Sequence, residues 1–138
     1  MQGVIFCAEW HITRKDAHIE EIAMSEIKEI TGKIIQFRDE RDWMQFHDPK
    51  NMAVSIILEA SELLEHFQWK TKEEVEKYIM QNKPEIKDEI ADIALYLFEL
   101  ADNLGIGLGS AMKEKLKKNA MKYPVEKAKG KHTKYNKL

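Results

Sequence analysis

Apolar residues recur every three or four positions along most of the chain, the spacing that places them on one side of an α-helix. The first such stripe predicts a helix over about residues 25–41, with Ser25 as its N-cap. Alternating runs typical of half-buried strands are missing, so the pattern predicts an all-α protein. Further helices are predicted over about residues 51–69, 71–81, 84–104 and 111–122.

Residue types at the predicted helix ends support these boundaries. Thr71 and Glu74 have the spacing of a capping box, in which each side chain pairs with the backbone N–H of the other residue. Pro49 disfavours helix in the residue before it, which predicts an aromatic-rich loop over residues 42–50. Gly105 follows the last apolar position of the fourth helix, where glycine is a common stop.

The composition is that of one globular domain. The chain has 138 residues, of which 43% are hydrophobic and 33% charged, too apolar for a disordered chain and too charged for a membrane protein. It has only six glycines and three prolines, which favours long helices. We therefore expect an antiparallel bundle of four to five helices, assembled as a homo-oligomer through apolar surface left over on its helices.

Two features of the chain concern its setting. Cys7 is the only cysteine, so no intrachain disulfide can form, and the N-terminus lacks the basic region of a signal peptide. We expect a cytoplasmic protein with no membrane partner. We interpret residues 1–24 as an N-terminal extension of unknown role, 25–125 as the helical domain, and 126–138 as a Lys-rich tail.

The net charge of −2 hides an uneven distribution. Residues 111–138 carry ten lysines and two glutamates, a net charge of +8, so residues 1–110 carry −10. A basic segment on an acidic body is typical of nucleic-acid binding. It is also typical of a phosphate ligand held between lysines and metal-binding acids, and the acidic motifs favour this second interpretation.

Two acidic pairs have the same spacing on the second and fourth predicted helices. Glu59 and Glu62 are three residues apart, as are Glu89 and Asp92, so each pair lies on one helix face beside apolar neighbours. Four carboxylates at a helix–helix seam repel one another unless a cation joins them. Oxygen ligands suit Mg²⁺, for which Mn²⁺ can substitute. The pattern therefore predicts a Mg²⁺ site formed by these four residues.

Two other interpretations of the acids compete with this one. The acids could form a solvated face with Glu–Lys pairs. A di-iron site is disfavoured because it needs Glu-x-x-His on two helices. The residues three positions after Glu59, Glu62 and Glu89 are all acidic instead.

Taken in order, the motifs resemble those of the all-α NTP pyrophosphohydrolases, the MazG-like superfamily, whose signature is E-x-x-E followed by E-x-x-D. Here 26 residues, 63–88, separate Glu62 from Glu89. The resemblance covers about residues 25–125 and is closest to the dCTP pyrophosphatase branch. Four segments resemble that branch: residues 40–47, 67–70, 92–97 and 115–124.

The resemblance implies a Mg²⁺-dependent enzyme that cleaves a nucleoside triphosphate to the monophosphate and pyrophosphate. It implies a homodimer or homotetramer with sites near the subunit contacts. The animal branch has a histidine in the first helix, where this chain has Ile34. Residues implied to line the nucleoside pocket are Trp43, His47, Trp69 and Tyr96, and those implied to reach the triphosphate are Lys115, Asn119 and Lys122.

Glu62 is our first candidate, and Glu65 the second, for the base that accepts a proton from the attacking water.

We expect dCTP or a modified dCTP as substrate, in a role of nucleotide-pool sanitation, and no nucleic-acid partner. Two alternatives stay open. One is a related all-α hydrolase acting on dUTP or phosphoribosyl-ATP, and the other is a non-catalytic helical module that binds nucleic acid or a protein partner.

Overall fold

The computed structural model describes residues 14–137, with side chains from residue 26 onward. The described residues contain no strand, so the predicted all-α class is confirmed. Within this range no helix has both the length and the apolar character needed to cross a bilayer. The helices are α1 (Arg14–Asp39), α2 (Pro49–Glu65), α3 (Lys72–Gln81), α4 (Lys83–Asn103), α5 (Leu108–Lys122) and α6 (Val125–Ala128).

Helix α1 starts eleven residues before the predicted N-cap, so the predicted start at Ser25 is wrong. Residues 14–24 contain neither glycine nor proline, and a serine inside a helix has only a small cost. The helix therefore continues through Ser25. Residues 1–13 of the expected N-terminal extension lie outside the described residues.

Helix α2 begins two residues earlier and ends four residues earlier than predicted. The side chain of Asp48 accepts hydrogen bonds from the backbone N–H groups of Lys50 and Asn51, and Pro49 occupies the first turn. At the other end, the N–H groups of Phe67 and Gln68 both donate to the carbonyl of Leu64, which closes the helix in a tight turn.

The predicted capping box is confirmed at the start of α3. The backbone N–H of Thr71 donates to Oε2 of Glu74 over 2.7 Å, and the N–H of Glu74 donates to Oγ1 of Thr71 over 3.3 Å. The predicted stop of α4 is also confirmed, because Gly105 has φ +65°, a left-handed conformation that glycine adopts without strain.

Helix α4 lies at the centre of the fold. It packs most extensively against α2 and also contacts α1, α3 and α5. Among residues 26–137, few apolar side chains are buried and many large ones stay exposed, including Ile57 on α2 and Leu116 on α5, each 65% exposed. A single chain thus leaves apolar surface that another subunit could cover. In this part of the chain the buried apolar residues are Ile34, Met52, Ile86 and Ala101.

The C-terminal segment, predicted to be a tail, continues past α5 as a short helix and a 3₁₀ turn. Its Tyr135 ring meets the ring of Tyr123 edge-on at 6.0 Å, and Nζ of Lys122 lies 5.0 Å from the Tyr135 ring centre. These contacts fold the segment back against the end of α5.

Substituting Thr71→Ala is expected to lower the free energy of unfolding by about 1 kcal/mol, because it leaves the Glu74 N–H without its capping partner. Urea denaturation of the full chain measures this loss. Thr133→Ala is the matched control, since Thr133 is exposed and outside every helix. Equal losses in both variants would contradict a stabilising role for the cap.

Candidate active site

Three carboxylates from two helices meet at the seam between α2 and α4. Glu59 on α2 and Glu89 and Asp92 on α4 each place an oxygen within 4.8 Å of the others. The three-residue spacing of Glu89 and Asp92 places both on one face of α4. Glu59 and Glu89 are half-buried. The structure thus brings together three of the four acids predicted to bind metal.

Glu62 and Glu65 lie outside this cluster. Both are exposed, with Glu62 one turn beyond Glu59 and Glu65 the last residue of α2. Glu62 is nevertheless close enough for its charge to act on Glu59. Neither assignment as general base is tested by this arrangement, and both stay predictions.

The arrangement of the cluster disfavours ionisation of the Glu59 carboxyl group. Burial raises the pKa of Glu59, and the negative charges of Glu62, Asp92 and Glu89 raise this pKa further. A cation between the carboxylates would remove the repulsion. Because all three donors are carboxylate oxygens, the cluster fits a hard divalent metal ion.

A groove of about 470 Å³ adjoins the acidic cluster. Its walls come from α1, α2, α4 and the loop between α1 and α2. The groove places carboxylates and aromatic rings around one space, as expected for a ligand that has both a phosphate and a base. The predicted site residues that line it are Trp43, His47, Glu59, Asp92 and Tyr96.

The loop that carries Trp43 and His47 is held by local contacts. The backbone N–H of Trp43 donates to the carbonyl of Arg38 over 3.1 Å, in a turn where Asp42 has φ +54°. The Trp43 ring meets the Phe37 ring edge-on at 5.9 Å. The guanidinium of Arg41 lies 3.6 Å from the centre of the Phe37 ring. These contacts fix the Trp43 ring at the groove.

Sequence reasoning missed a buried polar pair in the same groove, Arg38 and Glu99, which are 8% and 4% exposed. Oε1 of Glu99 lies 2.6 Å from Nδ1 of His47 and 3.5 Å from Nη1 of Arg38. The available signal was spacing, because Glu99 lies seven residues after Asp92 on the same face of α4.

Four of the residues predicted to bind the substrate do not line the groove of their own chain. Trp69 lies in the turn after α2 and is 86% exposed. Lys115, Asn119 and Lys122 lie on α5, which contributes no residue to this groove. Their assigned roles stay predictions.

Comparison with known proteins supports an enzyme site. The sequence model of the MazG-like family matches residues 54–138. The dCTP pyrophosphatase 1 of Bos taurus is 36% identical over 105 residues, and that of Homo sapiens is 34% identical over the same length. Each match covers 75% of this chain and 62% of the relative. The chain therefore spans less than two thirds of the length of these relatives.

A solved structure shares the fold. The crystal structure of a pyrophosphatase from Archaeoglobus fulgidus DSM 4304 is 42% identical in sequence and superposes with a TM-score of 0.69. The match covers 72% of this chain and 93% of that one. This likeness agrees with the predicted helical fold class.

Substituting Glu59→Gln is expected to raise the melting temperature in the presence of a chelator at neutral pH. The pKa of Glu59 is raised by folding, so ionisation costs the folded state more than the unfolded state. The metal-free stability of the native protein therefore falls as the pH rises through the titration of Glu59. The advantage of the variant should disappear below about pH 4, where the carboxyl is protonated in both states.

Thermal melts with EDTA or with Mg²⁺ test this expectation. Added Mg²⁺ should raise the melting temperature of the native protein more than that of the variant. Glu76→Gln, an exposed acid on α3, is the control and should change neither response. A Glu59→Gln variant that is less stable than the native protein in EDTA would argue against repulsion in the cluster.

Proposed function

The chain belongs to the MazG-like family, and we propose that it is a Mg²⁺-dependent nucleoside triphosphate pyrophosphohydrolase. Its proposed substrate is dCTP or a modified dCTP, which it converts to the monophosphate and pyrophosphate in nucleotide-pool sanitation. The carrying observation is that Glu59 and Asp92 belong both to the acidic cluster and to the aromatic groove. The relatives named dCTP pyrophosphatase 1 support this substrate class.

In this proposal Glu59, Glu89 and Asp92 hold the metal, and Glu62 lies one turn away as a fourth acidic group. When bound, a divalent ion offsets the charge of the triphosphate and lowers the pKa of a coordinated water. The helices fix the three carboxylates before substrate arrives, so little reorganisation is needed at binding.

Glu62 is the proposed general base. Its exposed carboxylate lies outside the tight cluster, which leaves it free to accept the proton of the attacking water. Glu65, one turn further along α2, is the second candidate. Both lie on the helix that carries Glu59.

The groove supplies the proposed nucleoside site. The Trp43 ring is 42% exposed and can stack on a base, which is worth roughly 1–3 kcal/mol. Stacking tolerates every base, so selectivity must come from a hydrogen-bonding group such as His47. Tyr96 lies one turn beyond Asp92, where its hydroxyl can meet the sugar or a phosphate. Ile34, buried beside them, leaves this part of the wall apolar.

We propose that the site is completed in a homodimer or homotetramer. The exposed apolar side chains of α2 and α5 support subunit contacts. Trp69 would then contact the base in the groove of a neighbouring subunit. The α5 residues would contact the triphosphate there. The two lysines supply positive charge to the leaving pyrophosphate, and the asparagine donates from its amide. These α5 residues are Lys115, Asn119 and Lys122.

The first test incubates the full chain with dCTP, 5-methyl-dCTP, CTP, dUTP and dATP, with Mg²⁺ or with EDTA, and identifies the products. We expect monophosphate and pyrophosphate only with Mg²⁺, formed fastest from a cytosine deoxynucleotide. The same products with another preferred base would correct the substrate and retain the chemistry. A folded protein that hydrolyses no nucleotide would contradict the proposed function.

Substituting Asp92→Asn is expected to lower kcat/KM on the order of 10²-fold or more, because it removes one charge that holds the metal. The circular dichroism spectrum and the helical fold should persist. Asp102→Asn is the matched control, since Asp102 is exposed on the same helix and lies outside the acidic cluster. Activity within about twofold of the native rate in Asp92→Asn would refute the assigned metal site.

A further inference from the structure

A buried polar cluster lies beside the acidic cluster and is separate from it. Glu99 on α4 is 4% exposed, which is rare for a glutamate. Its Oε1 lies 2.6 Å from Nδ1 of His47 and 3.5 Å from Nη1 of Arg38. These contacts join α1, the loop and α4 at one point of the groove.

Arg38 holds this carboxylate from the side of α1. A buried carboxylate persists only when an opposite charge and hydrogen bonds accompany it. The guanidinium is itself fixed, because Nη1 donates to Oδ1 of Asn103 over 2.8 Å and Nε donates to Oδ1 of Asp39 over 2.7 Å. Glu99 therefore has one stable position, and His47 meets it there.

The contact with Glu99 determines which ring nitrogen of His47 carries the proton. An ionised carboxylate can only accept a hydrogen bond, so Nδ1 must donate. Arg38 approaches the same carboxylate, so Glu99 has a cationic partner besides the ring. In a neutral ring with its proton on Nδ1, Nε2 is an acceptor. This nitrogen is the one left for a ligand in the groove.

We propose that Glu99, held by Arg38, is a positioning residue that fixes His47 as a hydrogen-bond acceptor and so favours bases with an exocyclic amino group. This inference rests on the proposed function, since it assigns how that site selects its base. The N4 amino group of cytosine can donate to Nε2. The O4 atom of uracil would instead turn a lone pair towards it, with no hydrogen bond formed.

The first test reads the tautomer of His47 without any substrate. Nitrogen-15 NMR of the full chain, at about pH 8 where an ordinary histidine is neutral, should show a protonated Nδ1 and an unprotonated Nε2. His47→Ala identifies the signals among the five histidines of the chain. A proton found on Nε2 of the native protein would overturn the proposal.

The informative variant is the double substitution Arg38→Leu with Glu99→Leu. Removing Glu99 alone would strand a buried guanidinium and could unfold the chain, whereas replacing both charges with apolar groups is often tolerated. A thermal melt checks that the double variant folds. In this variant the proton of His47 should move to Nε2, because its carboxylate partner is gone.

The second test compares kcat/KM for dCTP and dUTP. The ratio of kcat/KM for dCTP to that for dUTP should fall about tenfold in the double variant, as expected for one lost hydrogen bond. Adding His47→Ala to the double variant should lower the ratio no further. Glu99→Gln should retain the ratio within about twofold, because its amide oxygen can still accept the Nδ1 proton. Glu76→Gln is the control, since Glu76 is exposed on α3 and does not line the groove.

Each outcome separates this proposal from the function on which it rests. The positioning role would be overturned if the dCTP-to-dUTP ratio of kcat/KM is unchanged in the double variant. It would also be overturned if the double substitution lowers this ratio equally in a His47→Ala background. A native protein that hydrolyses neither nucleotide, yet holds its proton on Nδ1, would overturn the proposed function and retain the role of Glu99.

Discussion

Repulsion between carboxylates at the seam of α2 and α4 is the constraint on which the structure depends. Three acidic oxygens lie within 4.8 Å of one another, and burial and neighbouring charges both raise the pKa of Glu59. The packing of the two helices must overcome this repulsion whenever no cation is bound. In the proposed function, binding of a divalent ion offsets this loss of stability in the free protein.

The cluster around Glu99 differs from the acidic cluster because it contains a positive charge of its own. At Glu99 the buried carboxylate has a guanidinium and an imidazole beside it, so its charge is balanced by the chain itself. A cation is therefore attracted to the cluster that lacks one, while Glu99 is free to orient His47. Glu89, Asp92 and Glu99 lie along one face of α4, and their different neighbours give them different chemistry.

Exposed apolar surface links the fold to the proposed assembly. Several large apolar side chains of α2 and α5 remain exposed, and α5 packs only lightly on the rest of the chain. The same helix carries the lysines that the resemblance assigns to the triphosphate. A subunit contact in this region would therefore both cover apolar area and bring positive charge towards a site that is strongly acidic.

The sequence by itself determined the helical class, the capping box at Thr71, the stop at Gly105 and the two acidic pairs. These features depend on residues three or four positions apart, whose contacts are made within one helix. The helix start predicted from local spacing at Ser25 was wrong, because no residue there interrupts the helix.

Only the tertiary structure decided which of the acids meet and which acquire a different partner. Glu62 has the same sequence signal as Glu59, yet it is not among the acids whose oxygens lie within 4.8 Å of one another. The pairing of Arg38 with Glu99 joins residues from different helices. Its existence depends on the crossing of α1 and α4 and on the path of the loop, which no local pattern of residues encodes.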